Sequence, residues 1–187
     1  MTPRERLLCA LNHKRADRVP FEFDFTPPLY EVFKKKTGSD SPFEYFDMDI
    51  KKIGLNPTRL NADFTRYFGE LPKGVSFDEW GVGHLPSGLY HFDAMLPPLA
   101  NKSLEVLENY PFPDVNEDYR FEGLDDIIED IHNRGYAVAF CSVLSIFETS
   151  WYLRGMENLL IDMLEENEFA TLGKDGGLIL APTHVLT

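Results

Sequence analysis

Cysteine is scarce in this sequence of 187 residues, which contains only Cys9 and Cys141. Two cysteines cannot form the multi-bridge framework that stabilises small secreted domains. No signal peptide is expected, because Met1 leads directly into a charged stretch. No apolar run approaches the length of a transmembrane helix. The sequence therefore predicts a cytoplasmic protein with no membrane partner.

Positive charge is in short supply as well. The chain has 18 Lys and Arg residues against 31 Asp and Glu, which gives a net charge of −13. The basic run Lys34-Lys35-Lys36 is explained by a solvated helix end, since cations are favourable at helix C-termini. Nucleic-acid binding requires clustered Lys and Arg side chains. We therefore expect no nucleic-acid partner.

Several common motifs of catalysis are absent from the sequence. There is no glycine-rich phosphate loop and no Gly-x-Ser-x-Gly nucleophile motif. The five histidines and two cysteines form no His-x-Cys or Cys-x-x-Cys pair. Catalytic zinc needs three protein ligands and an open position. Spacing alone therefore defines no complete zinc site.

What the sequence does contain is enough apolar material, 43% of the residues, for one folded domain. Thr2-Pro3-Arg4-Glu5 is a capping box that begins a helix. Alternation predicts a strand at Phe21–Phe25, and a nearly continuous apolar run predicts a strand buried on both faces at Tyr136–Val143. A long helix is expected at Ser145–Asn167.

Further elements are expected along the chain from capping, turn and periodicity signals. They are a helix at Leu29–Lys36 ended by Gly38, a strand at Ile50–Leu55, an antiparallel hairpin region at Val75–Pro98, and helices at Ser103–Asn109 and Leu124–Asn133. Strands that alternate with helices indicate an α/β fold with a parallel sheet and right-handed crossovers.

The carboxylates of Glu22 and Asp24 are the first candidates for chemistry. They share one face of the predicted first strand, near its C-terminal end, where α/β barrels place catalytic side chains. Such a pair could bind a cation, orient a polar substrate or exchange a proton. The alternative is that both face solvent or pair with Arg18 or a lysine.

Candidates in the second half of the chain are Cys141, Glu148, Arg154 and His184. Cys141 is expected to be a buried thiol that packs as a small hydrophobe, with a zinc or substrate contact as the alternative. Glu148 follows a strand, although Ser145–Glu148 is also a capping box. Arg154 could bind a substrate carboxylate bidentately or pair with Glu157 or Asp162.

His184 follows a predicted strand, Leu178–Leu180, and a proline turn at Pro182. This position would place the imidazole at the active-site rim of a barrel. A loop histidine also has many structural uses, and the sequence leaves both interpretations open.

Six segments of the chain, in this order, resemble the uroporphyrinogen decarboxylase superfamily. They are Thr2–Leu8 (TPRERLL), Arg15–Pro20 (RADRVP), Asp78–Gly81 (DEWG), Tyr110–Asp114 (YPFPD), Tyr152–Glu157 (YLRGME) and Gly176–His184 (GGLILAPTH).

The resemblance implies a (β/α)8 TIM barrel with its site at the C-terminal mouth. Members of the family separate the last two segments by a long stretch that this chain lacks, so an apparent junction lies near residues 170–173. We therefore expect residues 1–187 to form a single, incomplete barrel domain that lacks several central βα units, since a closed barrel takes about 250 residues. Three explanations for the missing stretch are open: truncation or internal deletion of the gene product, a homodimer that pairs two half-barrels, or a segment omitted from the sequence.

The branch resembled is the methyltransferase-like one, which moves methyl groups between small donors, corrinoid proteins and thiols. It implies a site drawn from Glu22, Asp24, Glu148 and His184, with Arg154 and Cys141 as substrate contacts. It also implies zinc, with His184 near the position of a ligand, and a corrinoid carried by a partner protein. One alternative is a uroporphyrinogen decarboxylase, for which the arginine-rich stretch after the first strand is missing. The other is an inactive remnant or interaction module.

Overall fold

The computed structural model describes residues 1–89, 92–141 and 146–165. The chain forms two compact units. The first consists of Met1–Asn56 and Phe121–Ser142, and the second of Pro57–Arg120 and Val143–Thr187. The chain thus leaves the first unit after Asn56 and returns to it at Phe121.

The first unit is built around a parallel pair of strands. Its elements are α1 (Pro3–Leu11), α2 (Pro27–Thr37), α3 (Pro42–Phe46), β1 (Ile50–Ile53), α5 (Leu124–Asn133) and β5 (Ala137–Phe140). Ile50 pairs with Ala137 and Ile53 with Phe140 in parallel register. Parallel strands need a crossover connection, and here the Pro57–Arg120 part of the second unit is inserted between β1 and α5. The predicted parallel pairing is confirmed.

Local capping signals set the helix boundaries of this unit. Thr2 Oγ1 accepts a hydrogen bond from Glu5 N–H, and the Glu5 carboxylate accepts one from Thr2 N–H, which completes the predicted capping box of α1. Helix α2 begins with two prolines and ends at Gly38, whose φ of 71° suits a residue without Cβ. Both predictions are confirmed.

The strand predicted at Phe21–Phe25 is not observed. The segment has no ladder of backbone hydrogen bonds, and Asp49 N–H donates to Phe21 O at 3.1 Å. The alternation is nevertheless preserved in the side chains, because the rings of Phe21, Phe23 and Phe25 follow one another at 6.3 and 5.4 Å. The pattern predicted the side-chain faces correctly and the hydrogen bonding wrongly.

The second unit contains the predicted antiparallel hairpin region. It consists of β2 (Ser76–Phe77), β3 (Gly83–Leu89) and β4 (Phe92–Leu96), in the order β2-β3-β4, with α4 (Leu104–Glu108), α6 (Ile146–Arg154) and α7 (Met156–Leu164). The turn before β3 requires Gly81, which has a φ of 78°. A Cβ there would lie 2.3 Å from the ring of Phe64 and from Tyr110 Oη.

The single long helix predicted at Ser145–Asn167 is wrong over the part that the structure describes. Gly155, with φ 85° and ψ 138°, separates α6 from α7. A glycine takes this left-handed backbone without the steric cost that other residues pay. Gly155 therefore separates the two helices as the N-cap of α7.

The molecule is a mixed α/β protein with a small parallel sheet and a separate antiparallel sheet. Among residues 1–89, 92–141 and 146–165 the strands do not close into a barrel. The parallel sheet has two strands, and a barrel interior needs strands all round it.

The longest of the described helices, α2, has 11 residues, whereas a transmembrane helix needs about 20. Every helix within the described residues is too short or too polar to cross a membrane.

Candidate functional site

A cleft of about 520 Å³ lies in the first unit between the segment before α2, the start of α3 and β1. This volume falls within the range of about 300–1,000 Å³ that is usual for small-molecule sites. The residues that line it are Glu22, Phe23, Asp24, Phe25, Tyr30, Asp40, Ser41, Pro42, Phe43, Met48, Ile50, Lys51 and Lys52.

The two carboxylates predicted to share a face meet at one ammonium group in this cleft. Lys52 Nζ lies 2.7 Å from Glu22 Oε1 and 2.5 Å from Asp24 Oδ2. The hydrogen bond to Asp24 and then the contact with Glu22 raise the pKa of Lys52 well above its usual range, against the smaller opposing effect of burial. Lys52 therefore stays protonated, and pairing with a lysine, one of the alternatives left open by the sequence, is what the structure shows.

The two carboxylates differ in their exposure to solvent. The Glu22 side chain is 21% exposed, whereas that of Asp24 is 74% exposed. Glu22 Oε1 is buried and satisfies no hydrogen-bond geometry, so its contact with Lys52 is an ion pair rather than a well-directed hydrogen bond. A buried carboxylate oxygen in this state can accept a hydrogen bond from a ligand.

Aromatic side chains line much of the rest of the cleft. Lys51 Nζ lies 4.9 Å from the centre of the Phe43 ring, and Lys34 Nζ lies 4.8 Å from that of Tyr30. Tyr30 Oη donates to the Asp40 carbonyl at 2.5 Å, which fixes the ring beside the start of α3. The cleft thus combines acidic groups with ring faces that attract cations.

A buried ion network holds the Glu22 segment next to β1. Asp49, immediately before β1, is 0% exposed. Its carboxylate accepts hydrogen bonds from the Arg6 guanidinium, from Arg18 Nη1 at 2.5 Å and from Phe21 N–H at 2.8 Å. Arg6 also pairs with Asp17, with Nε 2.6 Å from Oδ1. Because Phe21 is anchored in this way, Glu22 and Asp24 come within reach of Lys52.

We expect the stability of the protein to decrease in acid because of Asp49. Burial alone would raise the pKa of this carboxyl, but the hydrogen bonds from Phe21, Arg18 and Arg6 outweigh it and lower the pKa below its ordinary value of 3.8. The unfolded chain therefore binds a proton first, and the contribution of Asp49 is complete above about pH 4 and lost as pH falls through the lower native pKa.

The measurement is the free energy of urea unfolding at evenly spaced pH values between about 2 and 7, a range that includes the titration of carboxylates. An Asp49→Asn variant should show a shallower loss below about pH 4 than the parent chain, because it lacks the titrating group. Parallel profiles for the two chains would contradict the assignment.

Lys52 and Asp49 are the residues that sequence reasoning missed. Lys52 lies 28 residues from Asp24, and Asp49 lies 43 residues from Arg6, so no local spacing links the partners. The available signal was the position of Lys52 in the predicted strand Ile50–Leu55 and of Asp49 just before it, since this is the next strand predicted after Phe21–Phe25. Adjacent strands bring such side chains together.

Arg154 makes its contacts within the second unit. Its Nη1 donates to the carbonyls of Leu99, Ala100 and Lys102 at 2.8, 3.2 and 3.3 Å, and its Nε donates to Asp162 Oδ2 at 2.7 Å. Asp162, one of the two partners that the sequence left open, is only 3% exposed. The pair is therefore buried rather than at the surface.

The other predicted site residues are distributed as follows. Glu148 lies in the first turn of α6, in the second unit. Cys141 belongs to the first unit, where its N–H donates to Ile53 O at 2.8 Å. Its side chain is half-buried, so the expectation of a fully buried thiol is wrong, because β5 ends one residue earlier. His184 and Ser145 lie outside the described residues.

The zinc implied by the resemblance was tested against the side chains present. In the described part of the chain, no group of three or more His, Cys, Asp and Glu residues is placed to hold a metal ion. The described residues therefore do not fit a zinc centre, and no chemical step is assigned to one.

Known proteins provide no guide to the cleft. Comparison with protein-family models, curated proteins and solved structures finds no match for this chain.

Proposed function

We propose that this chain is a methyltransferase-like member of the uroporphyrinogen decarboxylase superfamily, in which residues 1–187 are part of a TIM barrel. In this proposal the cleft at Glu22, Asp24 and Lys52 holds a small methyl donor. The observation that carries it is the carboxylate pair around a permanently charged ammonium in a cleft of ligand size.

Contacts that link the resembling segments, directly or through a shared partner, support membership of that superfamily. Arg6 and Arg18, from the first two segments, both bind Asp49. Tyr110 Oη, from the fourth segment, donates to Trp80 O of the third at 2.6 Å. A fold shared with the superfamily would preserve such contacts, and it would explain why the six segments occur together in this order.

The charge of the cleft favours a methyl donor over a porphyrinogen. Glu22, Asp24 and Asp40 contribute three carboxylates, against the two ammonium groups of Lys51 and Lys52. A substrate with eight carboxylates needs an excess of cations, most effectively arginines that bind bidentately. The acidic cleft would repel it, whereas a neutral or cationic donor meets no such barrier.

The cleft supplies proton transfer and orientation for a methyl transfer to a thiol. Glu22 or Asp24 accepts the thiol proton as the sulfur bonds to the methyl carbon, and the leaving group retains the electrons of the broken bond. The same carboxyl then returns the proton to the leaving group. Lys52 keeps both carboxylates in place. The same proposal includes a corrinoid protein as partner. It also includes a homodimer that covers the exposed edges of the two-stranded sheet.

The test is transfer of an isotopically labelled methyl group from a small donor to 2-mercaptoethanol, followed by mass spectrometry of the thioether. We expect Glu22→Gln to lower the rate by about 100-fold or more, which is the usual contribution of an acid–base group. Glu70→Gln, which removes an exposed carboxylate from the second unit, should leave it unchanged.

A Glu22→Gln variant as active as the parent chain would contradict the assigned role. Decarboxylation of uroporphyrinogen by the purified protein would support the lyase alternative instead. A folded protein with neither activity would support the inactive remnant or interaction module.

A further inference from the structure

Two lysine side chains of the chain itself contact the negative groups that line the cleft. Lys52 Nζ lies between the carboxylates of Glu22 and Asp24 at 2.7 and 2.5 Å. Lys51 Nζ lies over the Phe43 ring at 4.9 Å. The chain itself thus supplies cations to the acidic floor and to an aromatic wall. Both surfaces attract cations, because carboxylates are negatively charged and the faces of aromatic rings carry partial negative charge.

We propose that the cleft binds a small organic cation, a quaternary or methylated ammonium, between the Phe43 ring and the carboxylates of Glu22 and Asp24. This inference rests on the proposed methyl-transfer function and names the charge class of the donor.

The Phe43 ring is the element best suited to receive the ligand. Its side chain is buried, with 6% of the residue exposed, so the ring is held firmly by the fold. The Lys51 side chain that covers it is partly exposed and strongly hydrated. A quaternary ammonium is less hydrated and gains more from an aromatic face, as in the aromatic cages that bind choline-type ligands. The ligand therefore displaces Lys51 from the ring.

The carboxylates complete the selection. Their two charges exceed the single charge of Lys52, and Asp24, which lines the cleft, has a side chain that is 74% exposed and therefore accessible to a ligand. A neutral molecule of the same shape gains the apolar contact and loses the attraction to both surfaces. Charge, rather than shape, is what separates the two ligands.

The experiment is calorimetric titration of the purified chain with choline and with its uncharged isostere, 3,3-dimethyl-1-butanol. We expect choline to bind at least about tenfold more tightly, a difference of about 1.4 kcal/mol. Asp24→Asn should weaken choline binding by about five- to tenfold with little effect on the alcohol. Lys51→Met should strengthen it, because the competing cation is gone. Glu70→Gln removes the same charge outside the cleft and should change neither affinity.

Equal binding of choline and the alcohol, or no binding of either, would overturn the inference. So would a Lys51→Met variant that loses choline binding while its circular dichroism spectrum is unchanged. The binding experiment requires no methyl transfer, so the two proposals can fail separately. Transfer from an uncharged donor without choline binding would leave the proposed function in place and refute the cation site.

Discussion

An Asp49→Ala variant is expected to lose about 3 kcal/mol of unfolding free energy, because a buried ion network loses its central carboxylate. Asp49 is fully buried and accepts hydrogen bonds from Arg6, Arg18 and the Phe21 N–H. Removal of one partner from a buried ion pair usually costs about 3–5 kcal/mol, since the other charge is left uncompensated. The lower end applies here, because Arg6 keeps its second carboxylate, Asp17.

The measurement is urea unfolding at pH 7, with Glu129→Ala as the control. Glu129 is an exposed carboxylate of α5 in the same unit, and its removal should change the free energy by no more than about 0.5 kcal/mol. A loss below about 1 kcal/mol for Asp49→Ala would mean that the network contributes no more than a surface pair. Because Phe21 depends on Asp49, we also expect the variant to bind choline more weakly.

The parts of the fold that could be predicted from sequence are those determined by near neighbours. The capping box at Thr2 and Glu5 and the helix end at Gly38 depend on residues within one helical turn. Helix α5 was predicted with the bounds that it has, Leu124–Asn133, because its apolar face recurs with the helical period. Such signals can be read without knowing what the segment packs against.

The candidate site could be predicted only in part, for the opposite reason. Alternation placed Glu22 and Asp24 on one face, and they do meet. Their partner Lys52 was not predicted, because a contact across 28 residues is decided by how the chain returns rather than by spacing. The same limit concealed the role of Asp49, whose partners come from α1 and from the segment before Phe21.

The strand error at Phe21–Phe25 has a related cause. Alternating aromatic residues favour a pleated, half-buried surface, and the side chains do occupy one. A strand also requires a partner backbone in register, and here the Asp49 side chain takes the Phe21 N–H that a ladder would use. Side-chain pattern is local information, whereas the competing hydrogen-bond acceptor is supplied by a distant residue.

Replacement of Arg154 by alanine should destabilise the second unit by about 3–5 kcal/mol. The guanidinium is the partner of Asp162, which is 3% exposed, and it also donates to the carbonyls of Leu99, Ala100 and Lys102. Loss of the side chain would remove the ion pair with the buried carboxylate of Asp162 and the hydrogen bonds to the loop before α4. Arg154→Lys should recover part of the loss, since a lysine provides the charge without the planar fork of donors.

The comparison variant is Arg134→Ala, which breaks a pair with Glu44 whose side chains are 41% and 47% exposed and should cost at most about 1 kcal/mol. Urea unfolding of both variants and of the Arg154→Ala/Asp162→Asn double variant measures the coupling between the two buried groups. Arg154 was also predicted to bind a substrate carboxylate, and the two roles give different results. If Arg154 is structural, Arg154→Ala lowers the free energy of unfolding, and Arg154→Ala/Asp162→Asn lowers it by less than the sum of the two single changes, because both remove the same ion pair. If Arg154 serves only to bind a substrate, Arg154→Ala should leave the free energy of unfolding unchanged and weaken substrate binding alone.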